Sequence, residues 1–253
     1  MQFRLLVATL VLAIASTAPA FAGDKTPLIA LVASNAKAPF IEIIAAYEKS
    51  HPDISVSATY VGSNVIAKEI ASGAAADVVL IAQPAIKDSA SGLDSPVLVY
   101  TNKAAIGVNK SAVGKIREAK DLMKSGVKIA EGTVGSTTGT WEAQVVDKMT
   151  AHYGKDFATK YAANVVGKKN DTGKVTEMVE SGTADAAILY ESNIDPAKLT
   201  MIKLGAEDLV TVPTMVAAVK TSSHGAAAKA FAVYIAGAEA AAILKSHRMD
   251  TSK

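Results

Sequence analysis

Between Leu28 and Ala82 the apolar pattern keeps changing its period, and that alternation restricts the fold more than any other feature of the chain. Leu28-Ile29-Ala30-Leu31-Val32 is apolar at every position, as in a strand covered on both faces. Pro39 suits the first turn of a helix, and Phe40, Ile43, Ile44 and Tyr47 follow at the i, i+3, i+4, i+7 spacing of one helical face. His51-Pro52-Asp53 breaks that helix, and Ile54, Val56, Ala58 and Tyr60 alternate as in a half-buried strand. Gly62-Ser63-Asn64 is a turn, residues 65–72 read as a second helix stopped by Gly73, and residues 77–82 are another buried strand. Strand, helix, strand, helix, strand in that order implies a parallel sheet with helices on its faces, an α/β fold.

A second unit follows. Residues 97–108 are a long extended stretch interrupted at Asn102-Lys103, and residues 127–130 form a strand. Residues 132–140 are a Gly/Thr/Ser loop leading into a helix around 141–153. Residues 175–181 are helical, 184–190 a buried strand, 212–219 extended again, and a final helix spans about 226–245. The two long extended segments are natural crossings between two lobes. Lobe one is then discontinuous, residues 23–101 plus 212–253, and lobe two is residues 102–211.

Residues 1–22 read as a signal peptide. Arg4 supplies a basic segment, residues 5–15 are apolar, and Ala20-Phe21-Ala22 fits a small-x-small cleavage site. The apolar core is about a dozen residues long, where a bilayer crossing needs about 20. An exported, soluble protein of the periplasm is expected. Zero cysteines remove disulfides, thiolate chemistry and the lipid-modified Cys of a lipoprotein. The 26 Lys+Arg stand against 24 Asp+Glu, without the basic excess of a nucleic-acid binder, and a 50% hydrophobic composition excludes a disordered chain.

Four loops stand where strands end and helices begin: Ser34-Asn35, Gly62-Ser63-Asn64, residues 135–139, and Asp171-Thr172-Gly173. In an open α/β sheet, ligands bind beyond the carboxyl ends of the strands. Helix N-termini there offer unpaired N–H groups and partial positive charge to an anion. Singly, such residues are ordinary caps and turn formers; it is their recurrence in both units that carries weight. Residues 167–174, GKKNDTGK, imitate a phosphate loop, but five residues part the glycines instead of four and Val175 stands where Ser or Thr is required. There is no G-x-S-x-G elbow, and the four histidines lack metal-ligand spacing. Tyr190, closing an apolar strand, reads by position first as a core tyrosine with a wet tip and second as a hydroxyl donor facing a cleft.

Leu31-Val32-Ala33-Ser34, Phe40 to Tyr47 followed by Glu48-Lys49-Ser50-His51-Pro52, the Gly62-Ser63 turn, Ile70-Ala71-Ser72-Gly73-Ala74-Ala75-Ala76-Asp77-Val78, and Ala186 with Ile188-Leu189-Tyr190-Glu191-Ser192 occur in order at fitting separations. In these the mature chain resembles the periplasmic molybdate-binding proteins of ABC importers, within the type II solute-binding fold. The resemblance implies two lobes, each a mixed, mostly parallel sheet flanked by helices, and an oxyanion held by hydroxyls and backbone N–H groups. Matched motif by motif, the lobe-one hydroxyls fall on Ser34 and Ser63, the lobe-two tyrosine on Tyr190, and the lobe-two backbone donors on Thr138 and Thr172. That family usually carries small or apolar residues at the last two positions. It usually has Leu after the first serine and Ser or Gly after the second, where this chain has Asn35 and Asn64, which become additional candidate ligand residues. Molybdate or tungstate is the expected ligand, and the membrane permease of an ABC importer the expected partner. No enzyme activity, cofactor, side-chain metal ligand or nucleic acid is expected, and a monomer is. The alternatives are a receptor for a small organic or phosphorylated anion and, against the missing nucleophile–base pair, an exported hydrolase. Ser34→Ala and Ser63→Ala are both expected to weaken anion binding while leaving ligand-free stability nearly unchanged.

Overall fold

A computed structural model describes residues 24–252; the signal-peptide reading of residues 1–22 lies outside the described residues. The chain runs β1 (Thr26–Ala33), α1 (Lys37–Ser50), β2 (Ile54–Val61), α2 (Ser63–Ala71), β3 (Val78–Ala82) and the short α3 (Gln83–Ile86). The long β4 (Val97–Asn109) leads to β5 (Ile129–Gly132), α4 (Thr137–Tyr153), α5 (Phe157–Ala163), β6 (Val165–Lys169), α6 (Thr172–Glu180), β7 (Ala186–Tyr190) and β8 (Leu199–Lys203). β9 (Thr211–Ala218), α7 (Gly225–Ile235) and α8 (Ala238–Ser246) complete it.

The sheet is built from two similar halves. In the first, β2, β1 and β3 are parallel and β9 adds to β3 antiparallel. In the second, β6, β5 and β7 are parallel and β4 adds to β7 antiparallel, with β8 on its other edge. β4 joins the halves. Its first part pairs with β9 as far as Lys103↔Thr211, and from Ala104 onward it lies between β7 and β8. Each half is covered on both faces. In the first, Phe40, Tyr47 and Phe231 pack on one face, with Tyr47 and Phe231 ring centroids 4.6 Å apart, while Ile66 and Ile70 of α2 meet Val79 and Ile81 on the other. In the second, Trp141, Phe157 and Tyr161 cover one face, and Val175 and Val179 of α6 the other. Burial on both faces explains why these strands read as unbroken apolar runs.

Several boundaries differ from the sequence reading. β4 is continuous through Asn102-Lys103, and its register shift lies at Leu98/Tyr100. α4 starts at Thr137, four residues ahead of Trp141, because Ser136 caps it by accepting the Gly139 N–H at 3.0 Å. The expected final helix is two, bent by 52° at Ala236-Gly237. Among the described residues no single helix is long and apolar enough to cross a membrane.

Candidate functional site

The carboxyl ends of the parallel strands in both halves face one small cavity. From the first half come Ala33, Ser34 and Asn35 after β1, Gly62 and Ser63 after β2, and Ala82 at the end of β3. The second half brings Thr137 and Thr138 at the start of α4, Asp171 and Thr172 at the start of α6, and Tyr190 at the end of β7. Asn102 of β4 and Thr214 of β9 form the floor. The cavity holds about 20 Å³, on a measure by which one water takes about 10–15 Å³.

Ser34, Asn35, Ser63, Thr138, Thr172 and Tyr190 therefore line one space, whereas Asn64 does not. Asn64 lies in the seam between the halves, where its backbone N–H donates to Thr137 Oγ1 at 3.0 Å. The sequence reading omitted Thr137, Asn102 and Thr214. The last two lie inside long strands, where a search of loops at strand ends does not look.

The side chains are held in a buried polar network. Ser63, 3% exposed, accepts the Ala82 backbone N–H on Oγ at 3.0 Å. Its replacement by Ala strands a buried N–H, which corrects the expectation that ligand-free stability is unaffected at this position. Thr138 Oγ1 and Thr172 Oγ1 lie 3.1 Å apart and tie the starts of α4 and α6 together. Asn35 Nδ2 donates to the Tyr100 hydroxyl at 3.3 Å, and Ser192 Oγ donates to Asn102 Oδ1 at 3.1 Å. Tyr190 is buried and stacks on Trp141 with centroids 4.4 Å apart. Burial above all, and the nearby Tyr100 and Glu142 in addition, hold its hydroxyl well above the usual tyrosine range, so it stays a proton donor. Burial likewise raises Tyr100.

No Lys, Arg or His lines the cavity, and Asp171 is its one ionisable carboxylate. Asp171 Oδ1 is committed as the cap of α6, accepting the Lys174 N–H at 3.0 Å. The rest of the polar lining is hydroxyl and amide groups beside the N-terminal ends of α2, α4 and α6, whose unpaired N–H groups and partial positive charge favour an anion. The described residues hold one other candidate ligand cluster, His152, Glu207 and Asp208, with atoms within 4.8 Å of one another. It is remote from the cavity lining, and Asp208 there accepts from the Tyr153 hydroxyl at 2.9 Å and pairs with His152.

Residues 28–249 match the bacterial extracellular solute-binding protein family. The chain belongs to that family. It is 26% identical over 223 residues to the molybdate-binding protein ModA of Mycobacterium tuberculosis, spanning 86% of this chain and 82% of the relative. It is also 26% identical over 239 residues to the putative ABC transporter substrate-binding lipoprotein YvgL of Bacillus subtilis, spanning 88% and 86%. Among solved structures, the Azotobacter vinelandii periplasmic molybdate-binding protein superposes with a TM-score of 0.76 at 19% identity over 89% of this chain and 100% of that one. The sulfate-binding protein SubI of Mycobacterium tuberculosis gives 0.78 at 18% over 88% and 86%. The fold is that of the type II solute-binding proteins, and by its family the chain is a bacterial extracellular solute-binding protein.

Proposed function

We propose that the chain captures a tetrahedral oxyanion, molybdate or tungstate foremost, and delivers it to the permease of its importer. One observation carries the reading: a small cavity at two sets of strand ends, lined by Ser34, Ser63, Thr138, Thr172 and Tyr190, with no cationic side chain. The absence of Lys and Arg from this lining favours a compact oxyanion over the organic or phosphorylated solutes of the alternative reading, for which a cationic partner is expected. Each hydrogen bond to a charged group contributes about 1.5–3 kcal/mol. About half a dozen, less desolvation and closure, suffice for the roughly −8 to −12 kcal/mol of a micromolar-to-nanomolar site.

The lobes of this proposal are residues 23–101 plus 212–253 and residues 102–211; the change of β4 partners between Lys103 and Ala104 supports that division. The protein acts as a monomer in the periplasm after removal of residues 1–22. Calorimetric titration with molybdate, tungstate, sulfate, phosphate and small organic acids tests the ligand. A rigid ring of donors set for the larger ion makes long, poor bonds to sulfate, so molybdate exceeds sulfate by at least about tenfold, equivalent to about 1.4 kcal/mol. Sulfate or phosphate binding as tightly as molybdate defeats the molybdate assignment and leaves the family assignment standing.

A further inference from the structure

We infer that His152 and Glu207 form a second binding site, separate from the cavity, for a divalent transition-metal ion such as zinc. The inference is independent of the oxyanion reading. His152 stands in the last turn of α4, and Glu207 and Asp208 lie in the loop between β8 and β9. One side of the imidazole is fixed. Its Nδ1 lies 3.1 Å from both carboxylate oxygens of Asp208, which is 1% exposed and also accepts the Tyr153 hydroxyl at 2.9 Å. The Tyr153 ring stacks on the imidazole with centroids 4.1 Å apart. A buried carboxylate on Nδ1 keeps the proton there and turns the Nε2 lone pair outward, the arrangement that orients metal-binding histidines. Facing Nε2 is Glu207 Oε1, at 4.0 Å. That gap is too long for a hydrogen bond, but an ion about 2.0–2.2 Å from each atom spans it.

Two further observations point to a cation. Glu207 is turned back over Gly205: a Cβ on that glycine would lie 2.7 Å from Glu207 Oε1, so the missing side chain lets the carboxylate reach this position. Negative charge also gathers here. Burial first, then Asp208, Glu207 and Glu118, push the Tyr153 hydroxyl up to about 12. Lys148 places its ammonium at the Glu207 backbone carbonyl, at 3.4 Å. One imidazole and one carboxylate, with water in the remaining positions, favour zinc over magnesium, which is held by oxygen ligands. The Glu207 side chain is exposed, so a small swing brings the N–ion–O angle toward tetrahedral. Bound there, the ion ties the last turn of α4 to the loop that leads into β9.

The test is calorimetric titration of the untagged protein with zinc chloride, and separately with magnesium chloride, for the parent, His152→Ala and Glu207→Gln. Both side chains reach the surface, so both variants are expected to fold, which circular dichroism checks. The parent is expected to bind zinc with a Kd below about 1 mM and to bind magnesium at least about tenfold more weakly. Each variant is expected to lose about tenfold or more of zinc affinity. Excess zinc should raise the melting temperature of the parent and leave that of either variant nearly where it was. A parent that takes up no zinc overturns the inference. So does zinc affinity within about threefold of the parent's in either variant, which would place the ion at another histidine, His51, His224 or His247, or on one of the two residues without the other. A parent that binds zinc but no oxyanion leaves this site standing and overturns the oxyanion reading, whereas failure of the zinc site leaves that reading untouched.

Discussion

Glu142 is a carboxyl held where water does not reach. It is 1% exposed on α4, one turn beyond Thr138; Oε2 accepts the Gly132 N–H at 2.5 Å, and Oε1 has no partner. Burial, the largest influence, and nearby Glu131 push it well above the ordinary glutamate value, against the opposing pull of the Gly132 N–H and Lys168. Lys168 is itself engaged by Glu131 at 2.6 Å. The folded protein therefore keeps a proton here that the unfolded chain releases once pH passes the ordinary glutamate range. Stability falls as pH rises through that window, by about 1.4 kcal/mol per unit at most, until the folded group ionises. Glu142→Gln removes this slope, so urea unfolding should show the variant gaining on the parent from mildly acidic to neutral pH; parallel stability curves would defeat the argument. Ser34 and Ser63 separate in the same way by their partners. Ser63→Ala strands the Ala82 N–H and should lower ligand-free stability by about 1–3 kcal/mol as well as weakening binding. Ser34→Ala should weaken binding by a similar amount with ligand-free stability nearly unchanged, and equal melting temperatures for the two variants would contradict this distinction.

At the scale of elements, the aim of α4 depends on a backbone contact. A Cβ on Gly132 would strike the Gly139 backbone, and one on Gly139 would strike the Thr133 carbonyl, so the end of β5 and the first turn of α4 touch where neither residue has a side chain. Gly139→Ala should force them apart, costing about 1–3 kcal/mol as overpacking does, and turn Thr137 and Thr138 away from the cavity. Calorimetry should then record loss of anion binding in a protein that still folds; unchanged affinity would show that α4 is placed by other contacts. Elements with a long, clean period were legible in sequence: β1, α1, β2, β3 and β7 stand within a residue or two of expectation. Those without one were not. β6 is short, with Val165-Val166-Gly167-Lys168-Lys169 neither apolar nor alternating, and α5 and β8 are short segments defined by their packing partners. Helix starts were placed late because the apolar face begins a turn after the cap. The loop residues of the site were legible because caps and turns announce strand ends, whereas Asn102 and Thr214 gain meaning only when β4 and β9 are paired.

For the whole molecule, capture depends on how the halves meet. The Asn64 N–H reaches Thr137 Oγ1 across the seam, and Arg248 Nη2 donates to the Ile194 carbonyl at 2.8 Å, binding the segment after α8 to the segment after β7. Both bonds join residues of different lobes in the proposed division, so on that proposal they would favour this arrangement over one with the lobes parted. Trp141, the single tryptophan, stacks on Tyr190 at the cavity wall, so its fluorescence should change when an anion enters. That signal gives the rates. Thr137→Val keeps the shape and removes the acceptor of the Asn64 N–H, weakening the closed state by about 0.5–1.5 kcal/mol, the net contribution of an ordinary hydrogen bond. Affinity for molybdate should fall by about two- to twelvefold, and on the proposed two-lobed reading, in which the seam closes behind the anion, the change should lie in dissociation while association stays near the parent's. Stopped-flow fluorescence distinguishes the outcomes: a slowed association with unchanged dissociation would place Thr137 on the entry path instead of the seam.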